Sequence, residues 1–322
     1  MRRALQLAQH GLGTTRPNPS VGCVIVHNNT VIAEGYTSPY GGPHAEVNAI
    51  NAVEDESLLL ESTLYVTLEP CSHHGQTPPC SDLIVKKHIP NVVIGTLDPN
   101  EKVAGRGIKK LESAGRNVTI GVLEEACKTH HRRFLTFQVK KRPYIILKWA
   151  QTADGFIAPQ ADTRTKAEPV WITNAYSRQL VHKWRSQEHA ILVGANTVLA
   201  DNPSLTTRHW AGDSPIRIVL DKKGQIDHTY RVMSNDSKTL VIKEGNPHRI
   251  LEELHTHHIQ SVIIEGGAKT LQLFINAGLW DEARVFTGTI SFGNGIAAPQ
   301  FEGKKLSEET IVKDTLTYYQ NA

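Results

Sequence analysis

The sequence is short of everything that would anchor it in a membrane or cross-link it outside a cell. In 322 residues no apolar run approaches the roughly 18 positions that a spanning helix requires. The opening "MRRALQLAQHGLG" carries two arginines, yet no apolar core or small-residue cleavage site follows. It reads as the first turns of an amphipathic helix and not as a signal peptide. Four cysteines (Cys23, Cys71, Cys80 and Cys127) are too few over this length for a disulfide framework, which points to a reducing cytoplasm. The formal charge of +3 is too small to argue for a nucleic-acid partner, although a basic balance suits a phosphorylated substrate. Repeats and low-complexity tracts are also missing. What remains is an ordinary globular composition, 39% hydrophobic and 21% charged, long enough for one large core or two moderate ones.

The rarer residues are unevenly distributed. All four cysteines precede residue 128 and all five tryptophans (Trp149, Trp171, Trp184, Trp210, Trp280) follow residue 148, which predicts two domains, 1–142 and 143–322. Between them, "KTHHRRFLTFQVKKRPYI" begins as an amphipathic helix, with Phe134 and Phe137 three apart. It ends in a basic run, read as a solvated linker, before Pro143, which suits the entry to a strand. The first half reads as a helix over 2–11, a hairpin of "VGCVIV" and "TVIAEG" turned by "HNN", and a helix from His44. Strand "TLYVTL", a helix from Cys80, strand "NVVIGT" and a helix near 104–114 follow, predicting a three-layer α/β/α sandwich. The second half alternates in the same way, from "YIILKWA" to "EARVFT", and predicts an α/β domain with a mostly parallel sheet.

The chemistry concentrates in "GGPHAEVNAINA" and "LEPCSHHGQTPPCSDLI". A lone His-x-Glu means little, and two cysteines alone could close a disulfide or a structural zinc clip. Together, His44, Cys71 and Cys80 supply one imidazole and two thiols. Those are three protein ligands for a catalytic Zn2+, leaving a fourth position for water, whose pKa the metal lowers to about 7. Glu46, two residues beyond His44 on the same helix, is then a proton shuttle and not a ligand. H-x-E followed by paired Pro-Cys is the signature of zinc nucleobase deaminases. Here eight residues, not two, separate the cysteines, which leaves room for His73 and His74 to face a substrate. In the second half, "VIIEGGAKTLQLFINAG" ends a strand in Glu265-Gly266-Gly267 and opens a helix. Such a junction admits a phosphate at the helix N-terminus, although the dinucleotide fingerprint G-x-G-x-x-G is absent.

Longer stretches carry a resemblance. "RPNPSVGCVIV", "GPHAEVNAI", "YVTLEPCSHHGQTPPCSD" and "DPNEKVAGRGIKKLESAG" in the first half resemble the RibD family, the bifunctional deaminase–reductases of riboflavin biosynthesis. "KWAQTADGFIA", "WITN", "WRSQEHAILVGANTVLADNPSLTTR" and "IRIVLD" in the second half resemble the same family. The resemblance implies a cytidine-deaminase-like three-layer sandwich holding one Zn2+, followed by a dihydrofolate-reductase-like α/β domain using NADPH. It implies phosphorylated pyrimidine substrates, neither nucleic acid nor membrane as partner, and a cytoplasmic homo-oligomer. The two implied steps are deamination of 2,5-diamino-6-ribosylamino-4(3H)-pyrimidinone 5′-phosphate and reduction of the ribosyl group of 5-amino-6-(5-phosphoribosylamino)uracil.

By matched position, the resemblance places Asn18, His73, His74, Asp98 and Asn100 around the first substrate. Ala150, Trp171, Thr197, Asp201 and the run Gly267, Ala268, Lys269, Thr270, Leu271, Gln272, Leu273 would line the NADPH site. Pro169, Arg185, Leu205, Arg208 and Glu265 would face the second substrate. The chain departs from the pattern at three places. Gln76 stands where relatives often carry Lys or Arg, and Asn202 leaves Asp201 as a single carboxylate where relatives often have two. "PQADTRTKAEPVW" replaces a Gly-Ser lead-in to Trp-Ile-Thr, and its Pro169 has no amide hydrogen to donate.

Overall fold

The computed structural model describes residues 1–73, 78–99, 104–160, 163–164 and 166–321. The chain divides into two compact units, Met1–Lys141 and Arg142–Ala322. Among the described residues no helix is long and apolar enough to cross a membrane.

In the first unit, helix α1 (Arg2–Ala8) leads to strands β1 (Gly22–His27) and β2 (Thr30–Tyr36). Asn28 and Asn29 turn the hairpin at φ 46° and 61°, left-handed values that asparagine tolerates better than most side chains. Helix α2 (Ala45–Asn51), β3 (Thr63–Leu68), α3 (Cys80–Lys86), β4 (Asn91–Thr96), α4 (Arg106–Ser113), β5 (Asn117–Ile120) and α5 (Glu124–Lys140) follow. The sheet order is β2-β1-β3-β4-β5, antiparallel through the hairpin and parallel from β3 to β5.

Strand alternation decides the layers. Cys23, Ile25, Leu64 and Val66 face a core shared with Ala49 of α2, Ile84 of α3 and Leu111 of α4. Val24 faces the other side, against Ala4 and Leu7 of α1. Thr67 meets His131 of α5 there, and Gly95 closely approaches Cys127. Helix α2 sits closer to β2 than a side chain would permit, because a Cβ on Gly35 would lie 2.4 Å from both Ala45 O and Ala49 N. The short strand β5 was not anticipated: it is an edge strand, mostly exposed, and lacks the alternation that marks a half-buried one. The basic run before Pro143 is also less of a linker than expected. Its residues to Lys140 are helical, and Arg142 makes a bidentate ion pair with Asp281.

The second unit contains β6 (Tyr144–Gln151), β7 (Phe156–Ala158), α6 (Ala175–Gln187), β8 (Ala190–Gly194), α7 (Ala195–Asp201), β9 (Ile216–Leu220) and β10 (Thr239–Ile242). It continues with α8 (Pro247–Thr256), β11 (Ser261–Gly266), α9 (Ala268–Asn276), β12 (Glu282–Thr287), β13 (Ile296–Ala297), β14 (Lys304–Ile311) and β15 (Asp314–Gln320). Eight strands form one sheet in the order β10-β9-β8-β11-β6-β12-β15-β14. The first six run parallel, and β15 and β14 complete it antiparallel. Ile145, Leu147 and Ile264 pack under α8 and α9, whereas Tyr144, Ile146 and Ile263 pack under α6. Strand β14, "KKLSEETI", is exposed along almost its whole length, which is why hydropathy did not reveal it. The parallel strands β6, β8, β9 and β11 end on the same edge of the sheet, where ligands of open α/β folds bind.

Candidate active sites

In the first unit the three candidate ligands come from three places in the chain. His44 is the N-cap residue of α2, and its side chain makes no capping bond, so the imidazole is available to other partners. Cys71 follows β3, and Cys80 is the first residue of α3. His44 Nδ1 lies 3.6 Å from Cys71 Sγ and 3.4 Å from Cys80 Sγ, and the three ligand atoms all lie within 4.8 Å of one another. A tetrahedral Zn2+, with Zn–S of about 2.3 Å and Zn–N of about 2.0–2.1 Å, sets sulfur and nitrogen roughly 3.5 Å apart. The donor set and its spacing therefore fit zinc.

Local hydrogen bonds prepare the thiols. The amide of Cys80 donates to Cys71 Sγ at 3.3 Å, and the amide and hydroxyl of Ser81 both donate to Cys71 O. Donation from the Cys80 thiol, then from His44, holds Cys71 well below the ordinary thiol range, while the same pairing and burial keep the Cys80 proton on. Glu46, in the first turn of α2, is 4% exposed and is not among the three clustered ligands. Burial first, and the negative charge of Cys71 second, push its carboxyl up to about 7. A carboxyl so placed can take and return a proton near neutral pH. Cys23 of β1 is fully buried beside it, and burial raises its thiol, as suits a core residue.

The other residues expected around the first substrate are spread over loops. Asn18 is half-buried in a turn closed by its amide on Thr15 O and by the Thr15 hydroxyl on its own carbonyl. His73 is exposed, two residues after Cys71. Asp98 is buried just beyond β4, and its amide donates to Glu69. His74, Gln76 and Asn100 lie outside the described residues.

In the second unit a cavity of about 1040 Å³ opens along the ends of the parallel strands. It is lined by Ala150, Trp171, Thr197 and Asp201, and at the start of α9 by Gly267, Ala268, Lys269, Thr270 and Leu273. Pro169, Arg185, Leu205, Arg208 and Glu265 line it as well. Leu271 and Gln272, the other two residues of the expected run, are not among the residues that line the cavity. Leu271 is fully buried in the core, and Gln272 bonds Asn276 and the backbone of Gln300. Successive helical residues point about 100° apart, so a continuous seven-residue run cannot face one cavity.

The α9 terminus is built for close approach. Its N-cap, Gly267, makes no side-chain cap bond, and a Cβ there would lie 3.2 Å from Thr197 Oγ1. A Cβ on Gly194 would lie 2.5 Å from Thr270 Oγ1. An open helix N-terminus in a cavity wall offers unpaired amides and positive potential, which fits the diphosphate of a dinucleotide.

Beside it lies a charged cluster that includes residues not anticipated from sequence. Arg185 donates to Glu265 through Nε and Nη2, at 3.2 and 2.8 Å, and Lys148 Nζ approaches the same carboxylate at 3.9 Å. Burial alone would raise Glu265; Arg185 and Lys148 outweigh it and hold the carboxyl at about 2. Burial in turn lowers the Lys148 ammonium. His182 also lines the cavity: its Nδ1 accepts the Arg208 amide, and burial, then the nearby arginines, hold it at about 4. Asp201 is ion-paired to Arg164, another unanticipated lining residue. Lys222, Lys223 and Arg231 line the cavity as well. Lys148 alone left a trace in the sequence, as a single cation inside the apolar strand "YIILKWA".

Comparison with known proteins joins the two sites. Residues 1–96 match the cytidine and deoxycytidylate deaminase zinc-binding region, and residues 143–320 match the RibD C-terminal domain. The riboflavin biosynthesis protein RibD of Aquifex aeolicus is 36% identical over 97% of this chain and 92% of its own. That of Escherichia coli is 35% identical over 95% of each. A solved Thermotoga maritima structure, described as a diaminohydroxyphosphoribosylaminopyrimidine deaminase/5-amino-6-(5-phosphoribosylamino)uracil reductase, is 37% identical. It superposes with a TM-score of 0.90, covering 100% of this chain and 97% of that one. A zinc-binding deaminase fold at one end, a RibD reductase fold at the other and similarity along nearly the full length leave one assignment: the chain belongs to the RibD family of bifunctional deaminase–reductases of riboflavin biosynthesis.

Proposed function

We propose that the first unit, as a zinc-dependent deaminase domain, hydrolytically deaminates 2,5-diamino-6-ribosylamino-4(3H)-pyrimidinone 5′-phosphate. The second, as an NADPH-dependent reductase domain, then reduces the ribosyl group of 5-amino-6-(5-phosphoribosylamino)uracil to the ribitylamino product. The observation that carries the first step is the His44–Cys71–Cys80 cluster with a buried Glu46 that is not one of its ligands. His44, Cys71 and Cys80 would hold one Zn2+, which when bound would supply Lewis acidity and a water of lowered pKa. Glu46 accepts one proton of the attacking water at its carboxylate and passes it to the ring nitrogen as the hydroxyl adds to carbon. It then takes the hydroxyl proton of the adduct and passes it to the amine, which leaves as ammonia while the carbonyl forms. Asn18, His73, His74, Asp98 and Asn100 are the proposed substrate contacts.

For the second step, the open N-terminus of α9 with Ala150, Trp171, Thr197 and Asp201 is the proposed cofactor wall. Bound there, NADPH would supply a hydride to C1′ as the ring C1′–O bond of the ribosyl group opens, with a proton taken up on the released oxygen. Lys222, Lys223 and Arg231, cations that also line the cavity, suit the extra phosphate that separates NADPH from NADH. Arg185 and Arg208, with Pro169 and Leu205, face the sugar phosphate. Glu265 holds Arg185, and the buried Lys148 approaches the same carboxylate. The chain works in the cytoplasm as a homo-oligomer.

A coupled assay on the diaminopyrimidine phosphate tests the reading. Ammonia release is expected to need zinc but not NADPH, and NADPH oxidation to need both domains' steps in order. NADPH oxidation that persists from this substrate under a zinc chelator would overturn it. The cofactor wall has its own test. Trp171 is 58% exposed at the cavity, with the Arg178 guanidinium 4.8 Å over its ring. Saturating NADPH is expected to quench tryptophan emission, and Trp171→Phe to remove most of the change; an unaltered quench in the variant would displace the cofactor from this wall.

A further inference from the structure

Glu69 stands between the end of β3 and the Pro70-Cys71 pair, is 4% exposed, and directs its carboxylate at backbone amides. Oε2 accepts the Gly105 amide at 3.1 Å and the Asp98 amide at 3.4 Å, and Oε1 accepts the Gly107 amide at 3.1 Å. Helix α4 needs such an outside partner. Its N-cap is Gly105, at φ 71°, and no side chain of its own caps it. A carboxylate at that end meets two orphan amides and the positive end of the helix dipole. The fit is close: a Cβ on Gly107 would lie 2.2 Å from Pro70 O and 3.2 Å from Glu69 Oε1. The same helix is tied to α3, which Cys80 opens, by the Lys110–Asp82 ion pair. One carboxylate thus sets Asp98, the start of α4 and the Cys71 loop in register.

We propose that Glu69 is a positioning residue for deamination, holding Asp98 at a fixed placement relative to Cys71 and Cys80. The role rests on the deaminase reading above, in which Asp98 faces the diaminopyrimidine phosphate. Both carboxylate oxygens accept, so the isosteric amide of Glu69→Gln must place an NH2 against a backbone N–H. The variant loses at least one charge-assisted bond while leaving the zinc ligands untouched.

The test uses the full zinc-loaded chain. E69Q is expected to keep about one zinc per chain and its reductase rate, to change kcat less than about threefold, and to raise KM for the diaminopyrimidine phosphate roughly tenfold to a hundredfold. Amide hydrogen exchange at Gly105 and Gly107 should accelerate in the same variant. E69Q with a wild-type KM overturns the role, and so does a loss of zinc in step with activity, which would make Glu69 a fold residue only. Should E69Q fail to fold, E69D decides. It keeps the charge and both acceptors one methylene short, and is expected to hold zinc with an intermediate KM; a wild-type KM or parallel zinc loss there overturns the role. A wild-type chain that does not deaminate sinks the functional reading and this role together, whereas an unchanged KM in E69Q sinks this role alone.

Discussion

Replacing Glu46 by alanine is expected to leave about one zinc per chain and to lower the deamination rate by roughly two to four orders of magnitude, the range of a lost general acid–base group. The metal stays because the cluster closes on His44 Nδ1 and two sulfurs without Glu46. The rate falls because no other carboxyl is placed in the first turn of α2 to carry the proton. Glu46→Gln sharpens the point, since it keeps the volume of a side chain that is 4% exposed and removes only the ability to bind a proton. Metal analysis with single-turnover deamination checks both. Loss of zinc in either variant would make Glu46 a ligand, and retained deamination in Glu46→Gln would take Glu46 out of the proton path.

Cys80→Ser carries the second large effect and should separate the two activities. A hydroxyl does not ionise to an anionic ligand at neutral pH as a thiol does, so zinc occupancy and deamination are both expected to disappear. Reduction of pre-deaminated substrate should stay within about twofold of wild type, because every described residue lining the reductase cavity lies in Arg142–Ala322. Metal content and NADPH oxidation, measured on one preparation, check this. A reductase that fails together with the deaminase would show the second site to depend on the first.

Much of the molecule was legible in the chain. Histidine and cysteine ligands announce themselves because few residue types bind zinc, and "GPHAE" and "TPPC" place them next to helix starts. Buried parallel strands such as "HAILVG" and "SVIIEGG" read as continuous apolar runs, as strands covered on both faces must. Elements that bury little were missed. Strand β14 is almost wholly exposed, and β5 is a short exposed edge. Helix α8, opened by Asn246 as N-cap and Pro247, carried a start signal that was passed over. Leu271 and Gln272 stand apart from the rest of their run for a different reason: a helix turns only one of its faces to a cavity, which a contiguous run does not reflect.

By itself the sequence determined the fold class, the family and the candidate zinc ligands, because each depends on residue type, hydrophobic period or the spacing of a few rare side chains. Only the tertiary structure decided which charges work together. Lys148, Arg185 and Glu265 lie on β6, α6 and β11, up to 117 positions apart, and become one ionic cluster where a parallel sheet ends. Glu69 is an ordinary acidic residue in one dimension. In three, β3, β4 and α4 bring three amides to its two oxygens, and burial makes those bonds worth keeping.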